Sequence, residues 1–346
     1  MHNSIVGWDI GGAHIKAAVL ESDGQVSQVF QLPCPLWKGL DYLIQAVRQI
    51  QNQINHADCL HAITMTGELV DLFEGRDEGV EQIIQTMKNC LVDNQILIYA
   101  GLEGFVSIDR LAKKHYASIA SANWLASSSY AASQLAEGLF VDIGSTTTDL
   151  LIVSGHQLKA LGLTDYERMV SDELVYTGIV RTPVMAIAQT ASFLGNHIGL
   201  MAEYFATMAD VYRLTGELNE AHDQAETADG GEKTVLASAQ RLSRMTGYEF
   251  SNKDIVLWKQ FAENIKSQQK NKILQACQRQ LSRQLISDNA VFIGAGVGRF
   301  LVKQIADDLG YAYRDFTDLI DVKYENNSID VADCAPAVAV ALLALS

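Results

Sequence analysis

The sequence predicts an α/β protein built from two related lobes, and three observations carry that prediction. Asp9-Ile10-Gly11-Gly12-Ala13-His14-Ile15-Lys16 returns in altered form as Asp142-Ile143-Gly144-Ser145-Thr146-Thr147-Thr148-Asp149. In both places an apolar run ends in an acid, passes through a small-residue turn and resumes as a second strand-like run (5–8 and 17–20; 139–141 and 150–153). A third glycine-rich turn, Gly294-Ala295-Gly296-Val297-Gly298, follows a further apolar run at 290–293.

The elements follow in order. Runs at 5–8, 14–20 and 25–30 read as three short strands, the last two separated by the tight-turn pair Asp23-Gly24. Residues 40–53 switch to helical spacing, with Leu40, Leu43, Ile44, Val47 and Ile50 near one face. A strand at 61–64 leads into Thr66-Gly67-Glu68-Leu69, followed by a helix at 78–89 and an apolar strand at 95–99. The small-residue-rich stretch 120–136 is expected to be helical. Beyond the second acid turn, an amphipathic helix is predicted over 199–212, with Met201, Tyr204, Phe205, Met208, Val211 and Tyr212 as a packing stripe. A polar, turn-rich segment follows at 214–231, then helices at 233–245 and 253–287, the latter one long helix or two joined ones. A strand at 290–293 and a helix at 299–309 close the pattern.

Composition narrows the function. The chain has 346 residues, 48% hydrophobic and 19% charged, which suits a compact protein with room for two domains. A formal charge of -15, with no Lys/Arg-rich stretch, argues against nucleic acid as a partner. Cys34, Cys59, Cys90, Cys277 and Cys334 are odd in number and form no CxxC pair, so buried neutral thiols are expected rather than zinc or a disulfide scaffold. Asp9, Gly11 and Gly12 interrupt any signal-peptide pattern, and the apolar stretch 335–345 is too short for a membrane span. The expectation is a cytoplasmic protein without a membrane partner; homo-oligomerisation stays open.

Two acid-bearing turns facing one another suit a metal-bound phosphate or diphosphate. Gly11 and Gly12 allow backbone to approach an oxygen closely, and Gly144, Ser145, Thr146 and Thr147 add hydroxyl donors. Asp9 and Asp142 would repel a naked phosphate, so Mg²⁺ held largely through water is the expected mediator, with these two acids as its ligands. Lys16 reads either as a phosphate partner or as a solvated strand lysine. Asp149 is a candidate base or metal partner, or else a strand-turn stabiliser. Gly294, Gly296 and Gly298 either border a nucleotide or the distal part of another ligand, or simply admit the next helix close to the sheet. The first turn enters a strand, unlike a dinucleotide-binding Gly-x-Gly-x-x-Gly, and no P-loop is present.

In this order the three turns resemble those of the actin, sugar-kinase and heat-shock ATPase superfamily. That resemblance implies two ribonuclease-H-like lobes, here 1–137 and 138–346, with a mainly helical insertion around 165–288. Met65-Thr66-Gly67-Glu68-Leu69, Ala122-Asn123-Trp124-Leu125-Ala126 and Gly162-Leu163-Thr164-Asp165-Tyr166-Glu167-Arg168 sharpen it. So do Glu173-Leu174-Val175-Tyr176-Thr177-Gly178, Arg181-Thr182-Pro183 and Thr227-Ala228-Asp229-Gly230. Together they look like the methanofuran-biosynthetic condensing enzymes and bacterial proteins of tetrahydromethanopterin-linked one-carbon transfer, a group resembling a shortened hydantoinase/oxoprolinase.

This resemblance implies a transferase joining an aminomethylfuranmethyl diphosphate to the phenol oxygen of a γ-glutamyltyramine-like acceptor, with pyrophosphate leaving. Both substrates are small molecules, Mg²⁺ is the implied cofactor, and ATP binding stays open but is not required by this reaction. Thr66 and Glu68 become pocket candidates, and Asp149, Glu68 and Asp229, in that order, candidate proton acceptors. An ATP-dependent kinase, a hydantoinase/oxoprolinase activity and a non-enzymatic nucleotide switch are the alternatives.

Overall fold

The computed structural model describes residues 4–54, 59–92, 94–323 and 329–345. The chain divides into two units: Met1–Gly138 with Val153–Lys159 and Arg314–Ser346, and Leu139–Ile152 with Ala160–Tyr313. Among the described residues, no helix is long and apolar enough to cross a membrane.

The first unit is organised by a six-stranded sheet. Strands β1 (Ser4–Ile10), β2 (His14–Glu21) and β3 (Val26–Pro33) form an antiparallel meander. Helix α1 (Leu40–Gln51) then returns the chain to β4 (Cys59–Met65), parallel to β1. Helix α2 (Arg76–Cys90) leads to β5 (Gln95–Tyr99), parallel to β4, and β6 (Phe105–Ser107) closes the edge antiparallel. The sheet order is β3-β2-β1-β4-β5-β6. All seven residues of both β1 and β4 are buried, as expected of central strands covered on two faces. Helices α3 (Tyr116–Ile119) and α4 (Asn123–Gln134) follow, separated by the sharp bend at Ser121, whose φ is 52°. The predicted helix over 120–136 therefore begins only at Asn123.

The apolar stretch at the end of the chain is a buried helix, Ala335–Leu345, packed on β1, β2, β4 and α4. Gly7 makes that approach feasible, since a Cβ there would lie 2.9 Å from Ala341 Cβ.

The second unit repeats the plan. Strands β7 (Glu137–Ile143) and β8 (Thr148–Ser154) flank the second acid turn, and α5 (Asp165–Ser171) precedes the two-residue strand β9 (Leu174–Val175). A separate hairpin, β10 (Thr190–Phe193) and β11 (Asn196–Gly199), and helices α6 (Met208–Thr215), α7 (Val235–Thr246) and α8 (Ile255–Leu281) come next. The sheet resumes with β12 (Val291–Ala295), α9 (Arg299–Leu309) and β13 (Ala312–Asp315), in the order β13-β12-β7-β8-β9. Matched strand for strand, that is the first sheet's β5-β4-β1-β2-β3. The protein thus has two ribonuclease-H-like lobes of the actin/sugar-kinase/heat-shock ATPase superfamily, with a long helical insertion in the second.

One predicted element is corrected. Residues 200–207 are not helical; the helix starts at Met208, capped at Thr207, whose N–H donates to Asp210 Oδ2 at 3.1 Å. The preceding backbone pairs elsewhere: Met201 N–H donates to Met245 O, and Ala206 O accepts from Val184 N–H. Met201 and Tyr204 are about half exposed, so the stripe seen in sequence is not one helix face. The 253–287 segment resolves to a single helix, α8.

Candidate phosphate-binding turns

In the first lobe Asp9 lies one residue from the end of β1, cross-strand from Lys16 and only 6% exposed. The turn that follows is tight, with Gly11 N–H donating to His14 O at 3.0 Å. A Cβ on Gly11 would sit 2.8 Å from that same oxygen, and one on Gly12 would meet Val70 Cγ1 at 2.7 Å. Thr66 N–H donates to Ile10 O at 2.9 Å, which holds Thr66 beside Gly11 at the same sheet end.

Two partners come from the start of α4 and the bend just before it. Asn123 Nδ2 donates to Asp9 Oδ1 at 3.4 Å, while Asn123 Oδ1 accepts from Trp124 N–H at 2.7 Å and so fixes the amide's orientation. Glu68 is buried, and Ser121 Oγ donates to its Oε1 at 2.8 Å. The Lys16 ammonium donates to Asp333 O at 2.6 Å.

In the second lobe, Gly144 N–H donates to Thr147 O at 2.9 Å to form the matching turn. Residues 177–182 are laid directly against it: Ile179 N–H donates to Gly144 O, and Val180 and Arg181 N–H both donate to Ser145 O, at 3.0, 3.1 and 2.9 Å. Gly178 touches the turn so closely that a Cβ would lie 2.5 Å from Ser145 C and closer still to the Thr146 nitrogen. From α8, the buried Gln269 donates to Thr177 Oγ1 at 2.7 Å and Gly178 O at 2.9 Å, and accepts from Tyr212 OH at 2.5 Å. The helical insertion therefore braces the turn.

The third glycine turn belongs to this lobe and its three glycines do different jobs. Gly296 has φ +77° and packs against the Asp142 carboxylate, leaving no space for a side chain. Gly298 admits Ile143 and Ile179, each within 2.5 Å of where its Cβ would be, and its N–H donates to Ile143 O. Gly294 makes room for the Tyr313 ring. Gly298 lets the start of α9 pack close on the sheet, whereas Gly294 accommodates a side chain from the neighbouring strand β13.

The remaining candidate acids are already engaged. Asp149 is ion-paired at 2.5 Å with Arg168, itself 2% exposed; burial pushes the Asp149 carboxyl up and the guanidinium opposes it. Asp229 lies in the insertion, bound by Arg241 at 3.1 Å, Arg244 at 3.0 Å and Gly231 N–H at 3.0 Å. Burial works to raise its pKa, but the Gly231 amide and the two guanidinia outweigh it and hold the carboxyl below the usual range. Arg241 also pairs with the buried Asp210, extending a charged network through the insertion.

Among the described residues no group of three or more His, Cys, Asp and Glu could hold a metal. The donor chemistry nevertheless fits Mg²⁺, which keeps several waters and commonly takes only one or two carboxylates together with substrate phosphates. Asp9 and Asp142 each offer hard oxygen donors beside a tight turn, and in the first turn a Cβ on Gly11 or Gly12 would come within 2.8 Å of a neighbour. Burial raises the Cys34 and Cys277 thiols to about 12; Cys59 and Cys334 are also buried, and Cys90 is partly exposed.

Sequence reasoning assigned no role to Gly178, Arg181, Ser121, Asn123 or Gln269. Gly178, Arg181 and Asn123 fall in motifs that stood out in the sequence, and Ser121 directly precedes one, but only the folded chain shows what they touch. Gln269 lies on a long helix and carried no signal.

Comparison with known proteins agrees with this architecture. The hydantoinase/oxoprolinase family model matches residues 60–334. A protein of Methanocaldococcus jannaschii named (4-{4-[2-(gamma-L-glutamylamino)ethyl]phenoxymethyl}furan-2-yl)methanamine synthase is 31% identical over 242 residues, covering 70% of this chain and 71% of that protein. A Methanococcus vannielii protein of the same name is 33% identical over 108 residues, covering 31% of this chain and 48% of its own. Among solved structures, a nucleotide-free acetone carboxylase superposes with a TM-score of 0.58 at 10% identity, over 90% of this chain and 68% of that one, a likeness of fold alone.

Proposed function

The chain belongs to the hydantoinase/oxoprolinase family, and from that premise we propose that it is a transferase joining a furanmethyl diphosphate to a phenol oxygen with release of pyrophosphate. The supporting observation is the same device in each lobe: a carboxylate one residue from a strand end, beside a tight turn closed by a glycine N–H, Gly11 to His14 O and Gly144 to Thr147 O. It occurs in a chain 31% identical to a protein named as a synthase of a phenoxymethylfuran amine.

The chemistry balances simply. The furan-bearing CH₂–O(diphosphate) bond breaks, the phenol oxygen forms a new bond to that carbon, and one proton leaves the phenol. When bound, Mg²⁺ would supply positive charge to the departing diphosphate; each turn offers one carboxylate to hold it, Asp9 in the first lobe or Asp142 in the second. The glycine turns let backbone N–H groups and the Ser145, Thr146 and Thr147 hydroxyls approach the phosphoryl oxygens where negative charge develops. Gly296 leaves the space that Asp142 occupies, and Asn123 orients Asp9. Glu68 is the proton acceptor we favour. It is buried next to Thr66, its carboxylate is steadied by Ser121, and Asp149 and Asp229 are bound to arginines. Thr66 lines the first turn.

The test is product chemistry. Purified protein is incubated with aminomethylfuranmethyl diphosphate, a γ-glutamyltyramine or tyramine phenol, and Mg²⁺, without ATP. Mass spectrometry should detect the aryl ether and one equivalent of pyrophosphate per coupling. A requirement for ATP with phosphate appearing on an alcohol would replace this reading with a kinase.

A further inference from the structure

We propose that Arg181 is a phosphoryl-binding residue that completes the anion site at the second-lobe turn. The inference rests on the diphosphate reading above and adds to it the charged side chain that recognises the leaving group.

Arg181 is anchored to that turn by its own backbone, its N–H donating to Ser145 O at 2.9 Å. The loop leading to it is closed by Gly178 N–H donating to Thr182 Oγ1 at 2.8 Å. It is braced from beneath by Gln269. The guanidinium then returns over the turn, with Nη1 3.5 Å from Thr146 Oγ1, which in turn lies 3.4 Å from Ser145 Oγ. Two hydroxyls and a guanidinium thus adjoin one another at a glycine turn, and Gly178 keeps a side chain off the Thr146 nitrogen.

An arginine fork donates two parallel hydrogen bonds to phosphate oxygens, and a pre-positioned fork loses little freedom on binding. In a chain of net charge -15, long-range attraction of an anion is absent, so a local cation has to supply the favourable field. The Lys16 ammonium at the first turn is turned to the Asp333 carbonyl. Arg181's charge also reaches outward: it opposes the rise that burial imposes on the half-exposed Tyr204 phenol.

The experiment is isothermal titration of inorganic pyrophosphate with Mg²⁺ into the full chain and its variants. Arg181→Gln should bind about 10- to 100-fold more weakly with its melting temperature retained, and Arg181→Lys should fall between. In a Thr146→Val background, Arg181→Gln should still weaken binding, because the guanidinium acts on the ligand and not through Thr146. Equal affinity of wild type and Arg181→Gln overturns the proposal, as does loss of the Arg181 effect in the Thr146→Val background. Should Arg181→Gln fail to fold, Arg181→Lys decides: weaker binding supports the proposal and unchanged affinity overturns it. No binding by the wild type would overturn the diphosphate reading and this inference together, a result distinct from binding that ignores Arg181.

Discussion

The Asp142 carboxylate occupies the space that a Cβ on Gly296 would need, so the second acid and the third glycine turn form one local structure. Gly296→Ala adds a side chain at φ +77° and drives it into the carboxylate. The expected cost is about 1–3 kcal/mol of stability, with turnover falling further than stability explains. Thermal melting and rate measured together check this, and a wild-type rate would separate Gly296 from the site.

Asp9→Asn and Asp142→Asn should each sharply reduce metal-dependent turnover while the circular dichroism spectrum is retained. Activity is followed across a range of Mg²⁺ concentrations. If both variants reach the wild-type rate at saturating metal, the two acids are not its ligands.

Gln269→Leu removes the two hydrogen bonds to Thr177 and Gly178 and the one from Tyr212. Because these partners are buried, about 1–3 kcal/mol should be lost in chemical denaturation. Pyrophosphate affinity should fall as well if α8 steadies the turn. Unchanged affinity in a destabilised variant would show that the brace serves the fold alone.

Asp149→Ala leaves Arg168 charged and only 2% exposed, which should cost about 3–5 kcal/mol. Replacing Arg168 by Met in the same chain should recover most of that loss. A proton acceptor would behave differently: stability would hold and the rate alone would collapse.

Asp229 supplies a pH signature. Its carboxyl is held below the ordinary 3.8, so its contribution is complete above that value and is lost as pH falls through the depressed folded value. Denaturation midpoints from pH 6 downward should therefore drop less steeply on the acid side for Asp229→Asn than for wild type. Identical acid limbs would mean the Arg241 and Arg244 pairings are absent in solution.

The two-lobed plan was legible because its signals are local. An apolar run ending in an acid before a small-residue turn marks a strand end wherever it occurs, and α9 was readable at both ends because Gly298 and Gly310 bound it. The failure at 199–212 has an equally physical origin. Met201 and Tyr204 fall at helical spacing from Met208, yet in this segment Met201 N–H donates to Met245 O and Ala206 O accepts from Val184 N–H, with no helical partners. Periodicity reports which side chains are apolar, and cannot report where the N–H and C=O groups find their bonds. The short strand β9 gave no signal, since two residues carry no alternation to detect.

For the site the division is sharper. The sequence by itself determined where the two acid turns and the third glycine turn fall, because each needs particular residue types within a few positions; Thr66 and Glu68 were singled out by family resemblance. Only the tertiary structure decided which acids are committed to arginines, that Gly178 and Arg181 rest on the second turn, and that Gln269 supports it from α8. These relationships join residues as far apart as Thr177 and Gln269. Hydrogen bonds and van der Waals contacts act over a few ångströms of space, and a linear sequence does not state which distant residues will share them.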